Sequence, residues 1–252
     1  MGRDLRFYAL GALAYGIVLE LLLVAAIVYW PEFEDNVEAI RDFMPGELKG
    51  ALDRMTSGGV ASYLHAQHFF KGCNTLGTLA AVIFAMGAVA GEAHRGTLEI
   101  WIARPVSRRQ LLLERWTLGA LAVCLPVFAT TATVPYLLGT IEVEMQFGPL
   151  MLGAVHESLL LLVLYSIAFL WSCLATRIVG IAFGMLLLAL LHFVAYLIPV
   201  VTHWSLYRLT DIDVFARIGA THSLDWRMCA PMIATSAILL GVSLRVFARR
   251  TP

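Results

Sequence analysis

The sequence predicts an all-α membrane protein: six transmembrane helices, with a charged elbow on the inner side between the second and third. Three observations predict it. Of 252 residues, 60% are hydrophobic and only 14% charged, whereas a soluble domain of this length carries roughly 25% charged residues. The apolar excess is gathered into six stretches, each near the ~20 residues a helix needs to cross a bilayer core. Turn-forming and charged residues fill the intervals, and about half of the chain is used by the spans, leaving no room for a large soluble catalytic domain. The formal net charge is zero, so no basic tail or patch on the scale of nucleic-acid binding is present.

The spans fall at about 8–30, 73–91, 116–140, 150–175, 178–201 and 229–248 of a single transmembrane domain covering 1–252. The first lacks a signal-peptide cleavage pattern and is long enough to remain as a span. It carries Glu20 at mid-depth, where a carboxylate costs about 2.5–3.5 kcal/mol unless paired, protonated or hydrated. Residues 31–72 form an outer loop too long for a mere connection. Val37, Ile40 and Met44, then Leu48, Ala51, Leu52 and Met55, repeat at helical spacing on either side of Pro45-Gly46. That pattern predicts two short amphipathic helices. His65 and His68 share a face in this loop, but no Cys or acidic neighbour completes a metal set.

The third span carries Pro126 and Pro135 with Thr130, Thr131 and Thr133 between them. Each proline frees a carbonyl, and threonine hydroxyls can satisfy such groups within a bilayer. His156 and Glu157 lie toward the outer end of the fourth span and His192 within the fifth. Glu20, Glu157 and His192 are therefore candidates for the lining of a pathway or gate. The segment 202–228 is too polar to span and too apolar to be freely solvated, which predicts an interfacial or re-entrant piece. The four cysteines, Cys73, Cys124, Cys173 and Cys229, have no CxxC spacing and read as buried thiols. Eleven of the 18 Lys and Arg residues, among them Arg3, Arg104 and Arg115, fall on the side of the termini, which places both termini in the cytoplasm.

The most informative stretch is 91–115, GEAHRGTLEIWIARPVSRRQLLLER. Leu98, Trp101 and Ile102 form a narrow apolar stripe, and Glu92, Arg95 and Glu99 form a ladder of opposite charges. One helix is expected here, ended by Pro105. Ser107 then caps a second helix, with Gln110 completing a capping box. Arg108 and Arg109 sit in that helix's first turn, where the macrodipole disfavours cations; lipid headgroups or an acidic protein surface would offset this.

Gly91-Glu92, then Gly96-Thr97-Leu98-Glu99 and Pro105-Val106-Ser107-Arg108 resemble the signature of the permease subunits of type-two, export-type ABC transporters. With six spans, inner termini and a long first outer loop, the resemblance covers nearly the whole chain. It implies a subunit of a prokaryotic plasma membrane that forms the translocation pathway with a second permease subunit, identical or not. A separate cytoplasmic ABC ATPase subunit, carrying ATP and Mg, is implied to drive it. Glu92, Gly96, Thr97, Glu99, Pro105, Ser107 and Arg108 are then the positions that couple to that ATPase. Trp101-Ile102 and Arg104 depart from the small, leucine-rich pattern of the family, and few residues precede the first span.

No GxxxxGK[ST] phosphate loop occurs, so the chain is expected to be a transport subunit and not itself the ATPase, with no catalytic, cofactor or metal residues of its own. A membrane protease would need a HExxH or GxSxG arrangement, and none is present. An ion-coupled carrier using Glu20 and a non-transporting membrane scaffold are the alternatives. No half-to-half repeat of the carrier type is visible.

Overall fold

Apolar spacing carries the first helix well past the end of its span. In the computed structural model, which describes residues 2–103 and 105–250, α1 (Gly2–Phe43) runs for 42 residues through Pro31, a length of about 63 Å. The first of the two outer helices expected from Val37, Ile40 and Met44 is thus the end of α1. Pro31 removes one backbone donor, but the apolar face continues across it and finds a partner. Trp30 and Phe33 pack with Leu52 of α2 (Gly46–Thr56) and with Tyr63, flanked by Val37, Ile40, Met44 and Met55. The Tyr63 ring lies 4.9 Å from both Trp30 and Phe33. An exposed Arg41–Asp53 ion pair at 3.3 Å lies beside this contact and contributes at most about 1 kcal/mol. The side chains of Arg3 and Leu48, and all of Arg104, lie outside the described residues.

The second membrane-long helix starts at residue 60, where the sequence pattern starts its span at 73. Val60–Ala88 is a continuous 29-residue helix, made of α3 (Val60–Leu64), a nine-residue π-helical segment His65–Cys73 and α4 (Asn74–Ala88). His65, His68 and Gln67 make this stretch look like loop. In the structure both histidines turn inward and are buried, and His68 Nε2 lies 3.0 Å from Thr131 Oγ1 of the third span. A hydrogen bond of this kind lets a polar residue occupy the bundle interior.

α7 (Arg108–Leu138), α8 (Phe147–Leu174), α9 (Ile178–Leu197) and α11 (Trp226–Arg249) complete six helices long and apolar enough to cross a membrane. α8 is the centre, packed by α4, α7 and α11. Small residues allow the close approaches: a side chain at Gly77 would meet Leu161 of α8, and one at Gly119 would meet Tyr165. Gly87 and Gly184 likewise face Phe7 and Trp171 of the same chain. α9 is the opposite case, burying only Ile181 and Met185 and exposing Phe183, Leu186, Leu187, Leu190 and Leu191.

Residues 202–221 fold back onto the end of the bundle away from the termini, as two 3₁₀ turns and α10 (Ile212–Thr221). Asp211 starts α10: its carboxylate accepts from the Ile212 amide at 2.8 Å and from the Tyr196 hydroxyl at 2.7 Å, and pairs with Arg208. Phe215 of α10 then stacks on Phe69, with centroids 4.6 Å apart and planes 12° apart. This insert seals that end over the π-helical segment.

Candidate coupling site

At the opposite end, α4 gives way to the elbow through a break at Val89. The Val89 and Ala90 amides are no longer bonded within a regular helix. Both donate to Ser172 Oγ of α8, at 3.2 and 3.0 Å. α5 (Ala90–His94) follows and ends in a Schellman motif. The Thr97 amide reaches back to the Glu92 carbonyl at 2.9 Å and the Gly96 amide to the Ala93 carbonyl at 3.1 Å. Gly96 has φ +69°, the left-handed conformation that such a terminus requires and that a Cβ disfavours. α6 (Leu98–Ile102) therefore forms a second short helix. The single helix expected over the first half of 91–115 is two helices joined by the Gly96 turn, and Glu99 leaves the charge ladder of Glu92 and Arg95.

Turning at Gly96 folds Glu92 inward. Its side chain is 2% exposed. Oε1 accepts from Arg95 Nη2 at 2.9 Å and from Arg115 Nη2 at 3.1 Å, while Oε2 accepts a short hydrogen bond from the Thr97 hydroxyl. Burial by itself would raise this carboxyl, but the Thr97 hydroxyl and the guanidinium groups of Arg95 and Arg115 outweigh it and hold Glu92 below the usual carboxylate range. Arg115, of α7, is the hub. It is 5% exposed, pairs also with Asp4 Oδ2 of α1 at 2.8 Å, and stands 5.0 Å above the Trp101 ring. The Tyr165 hydroxyl of α8 donates to its backbone carbonyl at 3.2 Å. One buried cation thus ties the elbow to α1 and α7, and its own backbone to α8.

Asp4 and Arg115 escape a reading of the elbow as an isolated segment. A signal existed: Leu111, Leu112, Arg115, Gly119 and Ala122 share the helical stripe of α7 that becomes buried, so the arginine stands in an apolar row. Trp101, which departs from the family's small-residue pattern, is the aromatic face that Arg115 uses, and it also packs on Phe247 of α11 at 5.4 Å.

The remaining elbow positions face outward or hold its frame. Glu99, Pro105 and Ser107 are exposed. Ser107 Oγ accepts from the Gln110 amide at 3.2 Å and starts α7. Arg108 donates to the carbonyls of Ala248 and Arg250 at 3.3 and 2.6 Å, the negative end of α11. Arg250 in turn donates to Ser172, Cys173 and Ala175 carbonyls at the end of α8, the shortest at 2.6 Å.

The pathway candidates are not gathered with the elbow or with one another. Glu20 is partly buried and accepts from Thr133 Oγ1 of α7 at 3.1 Å. Glu157 is fully buried on α8, and neither carboxyl oxygen has a partner among the described residues. His192 Nδ1 accepts from the Leu206 amide at 3.1 Å, and its carbonyl accepts from Ser205 Oγ at 2.7 Å, which fixes the first 3₁₀ turns to α9. Among the described residues, no group of three or more His, Cys, Asp or Glu side chains is placed to hold a metal.

Six membrane-long helices, the second and third joined by a charged elbow, define a multi-pass membrane protein. The family model described as ABC-2 family transporter protein matches residues 7–250, and the chain belongs to that family. No curated protein matches the chain.

Proposed function

We propose that this permease forms the pathway of an ATP-driven exporter and is driven through its elbow by a separate cytoplasmic ATPase subunit. The observation that carries the reading is the buried Glu92–Arg115–Asp4 cluster. A push on the elbow must move or break this cluster, because buried charges do not tolerate separation. α1 and α7 would move with it. In this reading Glu99, Pro105 and Ser107 present the docking surface, Gly96 and Thr97 set its angle, and Arg108 anchors it to α11. A second permease subunit would complete the pathway. The exposed apolar faces of α9 and α1 are available to it or to lipid, and Glu20, Glu157 and His192 would be polar groups of its lining or gate. Both termini would be cytoplasmic in a prokaryotic plasma membrane, with ATP and Mg on the partner.

The test begins with gentle purification from the native membrane. A stoichiometric soluble protein with a phosphate-binding loop is expected to accompany the chain, and to cross-link to cysteines placed at 99 and 106. Glu99→Ala should leave membrane insertion intact and uncouple ATP hydrolysis from transport. Absence of any ATPase after cross-linking would overturn the reading, as would full transport by both Glu99→Ala and Glu92→Ala.

A further inference from the structure

Arg109, at the start of α7, and Arg245 and Arg249, in the last two turns of α11, line a groove of about 510 Å³. The groove lies on the side of α11 opposite its packing face, since Ser236, Ser243 and Phe247 are buried. Below the arginines its wall is apolar, formed by Ile238, Gly241 and Val242. Ile238 and Arg249 lie eleven residue steps apart, about 16 Å of helix. The groove is therefore charged at the end of the bundle and apolar for about two turns toward its middle.

None of the three guanidinium groups has an ion pair or side-chain hydrogen bond among the described residues. The contrast with Arg108 is informative. Arg108 relieves its unfavourable place in the first turn of α7 through carbonyls at the end of α11, whereas Arg109 has no such relief and points to the groove. A second copy packed on this face would set the arginines of one chain near those of the other, an unfavourable arrangement. Guanidinium groups favour bidentate bonds to phosphate, and the position at a helix end is that of a lipid headgroup.

We propose that this groove binds an anionic phospholipid, with its phosphate among Arg109, Arg245 and Arg249 and an acyl chain along Ile238, Gly241 and Val242. The full chain, purified in mild detergent, is mixed with equal amounts of phosphatidylglycerol and phosphatidylcholine of matched chains, and retained lipid is read by native mass spectrometry. The wild-type chain should retain phosphatidylglycerol several-fold over phosphatidylcholine. The R109Q/R245Q/R249Q variant should lose that preference, and R41Q/K49Q/R54Q, at the far end, should keep it. In the unmodified chain raised salt should weaken the preference, which keeps the test valid if the triple variant does not fold. Equal retention of the two lipids by the wild-type chain would overturn the proposal, as would an unchanged preference in a folded triple variant. Displacement of the lipid by millimolar inorganic phosphate would reassign the groove to a free anion. Disulfide formation between copies carrying Val242→Cys would reassign it to a second subunit.

Discussion

Arg115 illustrates how much one buried charge can organise. Its guanidinium meets two carboxylates and an aromatic face, so removal of one partner leaves the others uncompensated. Glu92→Gln or Arg115→Gln should each destabilise by about 3–5 kcal/mol. Because the two residues share one network, the double variant should cost clearly less than the two singles together, read as thermal unfolding in detergent. The lowered Glu92 carboxyl also has a pH signature. Its contribution is complete above the ordinary carboxylate range and is lost as pH falls through its own lower value. The wild-type chain should therefore lose more stability than Glu92→Gln over that acidic interval. Glu157 presents the reverse case, a buried carboxyl without a partner among the described residues. Glu157→Gln should fold and insert at least as well as the wild type, since a neutral amide of the same shape replaces an ionisable group whose charged form nothing there compensates; a large loss of folded protein would show that the carboxyl is engaged.

At the scale of elements, short helices with defined ends shape this chain as much as the long spans do. Gly96 is open to solvent, and a Cβ added there would meet nothing within 4 Å, so a substitution acts through the backbone alone. Gly96→Ala should cost about 1–2 kcal/mol, the left-handed penalty for a residue with a Cβ, and should loosen the elbow without disturbing the bundle. Limited proteolysis between 94 and 106 would report it as faster cleavage. The insert at the other end depends on packing. Phe215→Ala removes a ring stacked on Phe69 and in contact with His65 and His156, and should cost about 3–5 kcal/mol. An unchanged unfolding temperature would mean that α10 contributes little to the bundle.

Across the whole molecule, the two ends are built differently. The end away from the termini is closed by aromatic packing: Trp30, Phe33 and Tyr63 on one side, Phe69 and Phe215 on the other. The end carrying the termini is joined by charge and by carbonyl contacts, through Arg115, Arg108 and Arg250. Aromatic contacts resist rotation over a broad area, whereas a few directed bonds can exchange partners. A force applied at the elbow is therefore expected to rearrange the terminal end first. Hydrogen exchange on the intact chain should show earlier opening in 88–107 than in 60–75; the opposite order would place the mobile end elsewhere.

The number and type of the long helices were legible in the sequence because membrane-length apolar runs leave the backbone no alternative to helix. The Ser107 cap was legible too, because a cap is decided within four residues. The beginning of the second long helix was not. His65, Gln67 and His68 look solvated in the sequence; only the fold turns both histidines inward, with Thr131 of another helix as the partner of His68. The same limit hid Asp4 and Arg115, 111 positions apart in the chain and 2.8 Å apart in space. Local patterns of hydropathy, caps and turns determined where the helices are and how the elbow is punctuated. Which polar groups are buried together was decided only by tertiary structure, because the partner that makes burial of a charge tolerable lies on a distant segment.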